Sequence, residues 1–203
     1  MDLRGSRCKY SRRIGRKVDN KMEDKDPLAR RGPIRQRRFR KKSDYGLHLQ
    51  EVQVCRMLYG IYERQFRNYV RKAKGRPGNT AEELLIMLER RLDNAIYRSG
   101  LATTRRQARQ LVTHRHIHVN GKPVDRPSYL LRVGDEFGIK KTKLQKPVYS
   151  DLQEELVNPR DGFWLQRSGN EGFNFKVDRL PQHDEAEQGF DSAYIVEFYA
   201  KFV

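Results

Sequence analysis

Positive charge is concentrated at the N-terminal end of this 203-residue chain, which limits where a core can form. Residues 1–43 contain 17 Lys and Arg against 5 Asp and Glu, so +12 of the formal net charge of +17 lies in this segment. A segment with so few apolar side chains cannot offset the conformational entropy lost on folding. We therefore expect a basic, extended N-terminal arm over 1–43 and a folded part in the remaining residues.

The overall charge indicates a polyanionic partner. A net charge of +17 destabilises a compact chain through self-repulsion unless a polyanion neutralises it. A membrane fits poorly, because no run approaches the roughly 18 apolar residues of a spanning helix. The N-terminus, MDLRGSRCKY, also has charges where a signal peptide needs an apolar core. We therefore expect an intracellular protein that binds nucleic acid and has no membrane partner.

A helix with two different faces is predicted after the arm. In YGIYERQFRNYVRKA (59–73), Tyr62, Phe66, Tyr69 and Val70 form the apolar stripe of an amphipathic helix. Most of the arginines fall elsewhere on the helical wheel. The pattern predicts that one face packs and that the other face is basic.

A second helical segment is predicted after the linker KGRPGN (74–79), where Thr80 and Glu83 form a T-x-x-E capping box. Helical character continues to Gly100, the expected C-cap. The apolar residues expected to face inward along this segment are Leu84, Leu85, Leu88, Leu92, Ala95 and Ile96.

Residues 103–121, TTRRQARQLVTHRHIHVNG, change from a helical period to a strand period. Thr104 and Gln107 form a capping box, which predicts a short helix after Thr104. In that helix Ala108, Leu111 and Val112 are expected to point inward, and Arg105, Arg106 and Arg109 outward.

A hairpin is predicted next, because Ile117 and Val119 alternate with three polar residues before the turn dipeptide Asn120-Gly121. His116 and His118 would then lie on the solvent face of a strand. The returning segment 122–139 is expected to supply the rest of a small sheet, with turns at Pro127 and at Gly134-Asp135. Its expected sheet residues are Val124, Tyr129, Leu131, Val133, Phe137 and Ile139. Further strands are expected around Trp164 and Phe175, and a loop over 182–191.

Three kinds of chemistry are considered for the histidine- and arginine-rich segment. A zinc site is disfavoured, because histidines on one strand face lack a nearby cysteine or spaced carboxylate, and Cys8 and Cys55 are far apart. An enzyme is the alternative, since Arg91-Leu92-Asp93 followed by Ser99-Gly100-Leu101 resembles the catalytic-aspartate segment of pseudouridine synthases. Asp93, however, falls in a helical pattern, and the remaining residues leave no room for their catalytic domain.

An RNA-binding surface would account for both the arginines and the histidines of this segment. Three arginines from one helical turn and histidines on the adjacent strand would form a basic face rich in hydrogen-bond donors. Such a face suits phosphates and 2′-hydroxyls. This interpretation is favoured.

Several motifs in order resemble a known family. SDYG (43–46), YGIYERQFRNY (59–69), residues 78–135 and IVEFYAK (195–201) together resemble the family of small-subunit ribosomal protein four, in its bacterial or organellar form. Residues 90–135 alone would indicate only a small RNA-binding module, which also occurs in tyrosyl-tRNA synthetases, pseudouridine synthases and a heat-shock ribosome-binding protein. The order of the motifs is more specific.

The resemblance implies an α+β fold, in which a helical body is interrupted by a module of two helices and a small antiparallel sheet. The expected domains are the arm (1–43), the body (44–89, completed by 179–203) and the module (90–178, with extra strands). Some relatives carry a four-cysteine zinc site in the arm, but this arm has only Cys8. We therefore expect no metal, no cofactor and no catalytic residue.

The resemblance also implies a function as a structural constituent of the small ribosomal subunit. Such a protein would bind small-subunit rRNA at a helical junction, nucleate subunit assembly, lie near the mRNA entry path and influence translational accuracy. The implied partners are small-subunit rRNA, small-subunit protein five and other ribosomal proteins, and mRNA. The implied location is the cytoplasmic ribosome, or an organellar one.

The expected RNA-binding residues come from the basic runs and from the family's motif positions. In the arm they are Arg7, Lys9, Arg12, Arg13, Arg16, Arg37, Arg38, Arg40 and Lys41. In the body they are Tyr45, Arg64, Arg67, Asn68 and Arg71. In the module they are Arg91, Arg105, Arg106, Arg109, His114, Arg115, His116 and Lys122.

Overall fold

The computed structural model describes residues 11–12, 43–144, 149, 164–168, 173–187 and 189–200. These residues form two units, which we name the body (up to residue 85 and from 187 onward) and the module (86–186). Most of the predicted arm, 1–43, lies outside the described residues. Among the described helices, none is long and apolar enough to cross a membrane.

The described elements are helices and one antiparallel sheet, which confirms the α+β class. The helices are α1 (Asp44–Tyr59), α2 (Glu63–Lys74), α3 (Thr80–Glu89), α4 (Leu92–Arg98), α5 (Arg105–Thr113) and α6 (Ser192–Ala200). The strands are β1 (Ile117–Val119), β2 (Lys122–Pro123), β3 (Glu136–Ile139), β4 (Leu165–Ser168) and β5 (Asn174–Val177). Short 3-10 helices cover Lys141–Lys143 and His183–Glu185.

Helix α1 is bounded by a cap at each end. The N–H of Gly46 donates to the hydroxyl oxygen of Ser43, so Ser43 begins the helix. Gly60 ends it in the left-handed conformation, with φ of 64°. Tyr59 therefore belongs to α1 and not to the next helix.

Helix α2 is amphipathic, as the sequence predicted. Phe66, Tyr69, Val70 and Ala73 are buried. Tyr62 is an exception to the predicted stripe, because it precedes the helix as its N-cap residue and is exposed.

Helix α6 packs its buried face against α1 and α2 within the body. The ring of Tyr199 lies 5.8 Å from that of Phe66, and the Tyr199 hydroxyl donates to Glu63 at 2.7 Å. Phe198 contacts Tyr45 of α1, with ring centroids 5.4 Å apart. The C-terminal segment thus supplies part of the body's core.

The start of α3 corrects one predicted cap. The N–H of Ala81 donates to Oδ1 of Asn79 at 3.0 Å, so Asn79 caps the helix where Thr80 was expected to do so. Glu83, the expected partner of Thr80, instead accepts a hydrogen bond from Arg76 at 2.9 Å. Asn is an N-cap residue as good as Thr, and it lies one position earlier.

The predicted continuous helix to Gly100 is broken between α3 and α4. Arg91 is extended and forms an isolated bridge with Leu130. The first N–H groups of α4 donate to the carbonyls of Tyr129 and Pro127, at 2.8 and 3.2 Å. The inward positions of α4 are as predicted, and Gly100 follows the helix with φ of 82°.

Helix α5 confirms the start predicted at Thr104. The hydroxyl of Thr104 accepts from the N–H of Gln107 at 3.2 Å, while the Gln107 side chain accepts from Thr103. Ala108, Leu111 and Val112 are buried, as expected.

The five strands form a single antiparallel sheet in the order β2-β1-β3-β5-β4. Asn120 and Gly121 make the hairpin turn with φ of 49° and 75°. Phe137 pairs with Phe175 across β3 and β5, and both face a core that includes buried Trp164. The extra strands predicted around Trp164 and Phe175 thus belong to this sheet.

The returning segment contributes less sheet than predicted. Within 122–139 only β2 and β3 are strands, and Tyr129 and Val133 are exposed. The carbonyls of Pro127 and Tyr129 accept from the first N–H groups of α4, and Leu130 forms its bridge with Arg91. This stretch therefore pairs with the break between α3 and α4 and does not extend the sheet.

We expect Leu111→Ala to lower the free energy of unfolding by about 2–5 kcal/mol, because it removes a core side chain. The measurement is chemical denaturation of the full chain. Gln110→Ala is the matched control, since Gln110 neighbours Leu111 on the exposed side of α5 and its loss should change stability by less than about 0.5 kcal/mol. Equal effects of the two substitutions would contradict the assigned faces.

Candidate nucleic-acid interface

Arg105 and Arg109, one helical turn apart on α5, are held by side chains of α4. Nε of Arg105 donates to Oδ1 of Asn94 at 2.9 Å, and its guanidinium carbon lies 4.4 Å from the ring centroid of Tyr97. Arg109 donates through Nε and Nη2 to Oδ2 of Asp93, at 3.1 and 2.7 Å. Both arginines are therefore only partly exposed, which corrects the prediction that they simply point to solvent.

Arg106 and Lys122 are exposed cations of this surface. Arg115 is also exposed and pairs with Asp125 at 3.1 Å, with 72% and 47% of the two side chains accessible. An exposed pair of this kind contributes little to stability. Together with Arg105 and Arg109, these three residues form what we call the module surface.

The histidines do not line one strand face. His114 is the exposed C-cap of α5, and Arg115, with φ of 59°, turns the chain before β1. His116 is half-buried, and its Nδ1 shares a hydrogen bond with the Tyr149 hydroxyl. Burial raises the pKa of Tyr149 to about 12, so this hydroxyl stays protonated at neutral pH. His114 and His116 thus remain beside the module surface in two different settings.

His118, the only one of the three histidines within β1, is half-buried on the outer face of the sheet. Burial lowers its pKa below the usual 6.5, and Lys140 acts in the same direction. Glu136 and a hydrogen bond with Asn174 oppose the shift. Within the described residues, no group of three or more His, Cys, Asp and Glu side chains could hold a metal ion.

The predicted residues of the body lie on α2 and at the start of α1. Arg64, Arg67, Asn68 and Arg71 line one shallow depression together with Glu63. Glu63 also accepts from Arg56 at 2.7 Å and lies 3.6 Å from Arg67. Tyr45 is exposed on α1. We call Arg64, Arg67, Asn68 and Arg71 the body surface.

Arg91 requires a correction. Its side chain is 1% exposed and donates to both oxygens of Asp93, at 3.0 and 2.7 Å. A buried guanidinium in a two-bond ion pair cannot reach a nucleic acid. We therefore remove Arg91 from the predicted contact residues. Of the predicted arm residues only Arg12, partly exposed, lies within the described residues.

Sequence reasoning missed the residues beneath the module surface. Asn94, which holds Arg105, itself donates to the buried carboxylate of Glu89 at 2.7 Å. Arg98 makes two further hydrogen bonds to Glu89, each of 3.0 Å. The signal was present, since Glu89-Arg90-Arg91 interrupts an apolar run between Leu88 and Leu92.

Family models and relatives match nearly the whole chain. A family model described as the ribosomal protein S4/S9 N-terminal domain matches residues 2–89, and one described as the S4 domain matches residues 90–137. The chain is 43% identical over 202 residues to small ribosomal subunit protein uS4 of Pediococcus pentosaceus, covering 97% of each chain. It is 42% identical over 200 residues to the uS4 protein of Roseiflexus castenholzii, covering 95% of this chain and 96% of the relative. The chain belongs to the uS4 family.

Membership of the uS4 family confirms the resemblance and decides against the catalytic alternative. The family is structural, so the protein is not an enzyme, and the proposed role of Asp93 in pseudouridine chemistry is wrong. The geometry gives the physical reason, because the Asp93 side chain is 5% exposed and both of its oxygens accept hydrogen bonds from arginines. Such a carboxylate cannot approach a substrate.

The half-buried His118 should make stability depend on pH. Its pKa is lowered in the folded protein, so the unfolded state binds more protons once the pH falls below about 6.5. The free energy of unfolding should therefore decrease as the pH falls from 6.5 toward the folded pKa, and His118→Gln should flatten this decrease. Denaturation curves between pH 7.5 and pH 5 measure it. His114→Gln is the control for the loss of an exposed imidazole, and identical pH profiles for His118→Gln and the unaltered chain would contradict the assignment.

Proposed function

We propose that the protein is a structural constituent of the small ribosomal subunit and binds its rRNA directly, at a helical junction. The observation that carries this proposal is the module surface. It consists of Arg105, Arg106, Arg109, Arg115 and Lys122, which are exposed or partly exposed, and residues 105–122 contain no Asp or Glu. Cations at this density suit the phosphates and 2′-hydroxyls of folded RNA.

We propose the body surface as a second rRNA contact. Arg64, Arg67 and Arg71 recur along α2, and Asn68 adds an amide that can bond a 2′-hydroxyl or a base edge. Tyr45, at the start of α1, offers an exposed ring on which a base could stack.

We propose that the arm also contacts rRNA, through Arg7, Lys9, Arg12, Arg13, Arg16, Arg37, Arg38, Arg40 and Lys41. Its net charge of +12 is the support. Deleting residues 2–42 should leave the body and the module folded, since among the described residues every buried one except Ser11 lies outside the deleted segment.

The remaining proposals rest on the family. The relatives are named as proteins of the small ribosomal subunit. We extend to this chain a role in nucleating subunit assembly, a position near the mRNA entry path with influence on translational accuracy, and contact with small-subunit protein five. The relatives are bacterial, which favours the cytoplasmic ribosome over an organellar one.

Binding to transcribed small-subunit rRNA should weaken steeply with salt. If about six phosphates are neutralised, log affinity falls linearly with log salt concentration and affinity drops by on the order of a thousandfold between 50 and 200 mM. Filter binding with the full chain over this range measures the slope. A flat profile would contradict an electrostatic interface and, with it, the proposed function.

Neutralising the exposed cations Arg106 and Lys122 should weaken rRNA binding without unfolding the protein. Arg106→Gln with Lys122→Gln should reduce affinity by on the order of tenfold or more and flatten the salt slope by about two. Thermal stability should stay nearly constant, because both side chains are exposed.

The matched control is Arg167→Gln with Lys176→Gln. These residues are also exposed, but they lie on β4 and β5, the two strands farthest from β2 in the sheet. An equal loss of affinity in both double variants would show that net charge alone matters and that the module surface is not the contact.

A further inference from the structure

A buried carboxylate lies directly beneath one of the proposed RNA-binding arginines. Asp93 is 5% exposed, and its neighbour Arg91 is 1% exposed and binds it through two hydrogen bonds. Oδ1 of Asp93 also accepts from the N–H of Asn94 in the first turn of α4, at 3.0 Å. The Asp93 carboxylate is thus fixed by its own helix and by Arg91, independently of Arg109.

Arg109 binds this fixed carboxylate with one edge of its guanidinium. Nε and Nη2 donate to the same oxygen, Oδ2, at 3.1 and 2.7 Å, while 30% of the side chain remains exposed. Two bonds from one planar edge to Oδ2 restrict the position of the guanidinium. A free arginine on a helix surface would instead lose several rotamers when it bound RNA.

Arg91, Asp93 and Arg109, counted by themselves, carry a net charge of +1, because Arg91 balances Asp93. A positive sum for these three side chains favours a phosphate near Arg109. The exposed pair of Arg115 and Asp125 differs, because it has no third partner among the described residues and sums to zero.

We propose that Asp93 is a positioning residue for RNA binding, which together with buried Arg91 presets the guanidinium of Arg109 for contact with rRNA. The inference rests on the proposed function, since it requires Arg109 to lie in the rRNA contact. The negative charge of Asp93 would by itself repel RNA. In this proposal the carboxylate favours binding instead, because it holds Arg109 in place.

The test is a double-mutant cycle on the affinity of the full chain for transcribed small-subunit rRNA. Arg109→Ala should weaken binding by on the order of tenfold. Asp93→Asn should weaken it by a similar factor, although the variant has gained net positive charge. The double variant should bind no more weakly than Arg109→Ala alone, because Asp93 acts through Arg109.

Each of the other outcomes refutes either the positioning role of Asp93 or the presence of Arg109 in the rRNA contact. Tighter or unchanged binding by Asp93→Asn, with weaker binding by Arg109→Ala, would refute the positioning role and leave the proposed function intact. If the double variant bound more weakly than Arg109→Ala alone, Asp93 would have only a structural role. Unchanged binding by Arg109→Ala would remove Arg109 from the interface and refute the inference at its premise.

Asp125→Asn is the matched control for the loss of an acid. Its carboxylate pairs with exposed Arg115, so its loss should leave binding unchanged or tighten it. A loss of affinity equal to that of Asp93→Asn would refute a special role for the buried carboxylate.

A second variant keeps the test decisive if Asp93→Asn does not fold, which circular dichroism would reveal. Arg109→Lys preserves the charge but cannot make two bonds from one planar edge. It should weaken binding severalfold, whereas Arg106→Lys, at an exposed position, should weaken it less. Equal effects of the two lysine variants would overturn the proposal.

Discussion

The fold of the module depends on charged side chains that are buried in its core, at the break between α3 and α4, and that must all be paired. Glu89, Arg91 and Asp93 are all buried within five residues of sequence. Removing such groups from water costs several kcal/mol each unless close partners replace the lost hydration, so every partner must be in place. Arg98 and Asn94 satisfy Glu89, while Arg91 and Arg109 satisfy Asp93. These requirements fix where α4 and α5 lie relative to the break, and with them the module surface.

A related arrangement occurs in the body, with a more exposed acid. Glu63 accepts from Tyr199 of α6 and from Arg56 of α1, and it lies close to Arg67 on its own helix. Packing of α6 therefore contributes to the arrangement of the basic face of α2. Glu63 is 40% exposed at its side chain, so solvent screens these interactions more than those of Asp93. In both units an acidic residue inside a basic surface organises the arginines around it.

Local signals predicted much of the fold, and tertiary demands explain the failures. Thr104 as a helix start and Asn120-Gly121 as a hairpin turn were predictable, because capping and left-handed turns are decided within a few residues. Tyr129, just after the predicted turn at Pro127, was predicted to belong to the sheet, but its carbonyl and that of Pro127 accept from the first N–H groups of α4. These hydrogen bonds join the stretch to Leu92 and Asp93, about 35 residues earlier in the chain, and no local sequence pattern indicates such a contact.

The sequence by itself determined the basic character of the chain, the amphipathic helices α2 and α5, and membership of the uS4 family, since composition, periodicity and motif order are properties of the chain. Only the tertiary structure decided what each arginine does. Arg91 is buried, Arg105 and Arg109 are held by α4, and Arg106 is open to solvent. The physical reason is that helical periodicity identifies the polar face of a helix, whereas the acid that meets an arginine there comes from a different helix and is placed by packing.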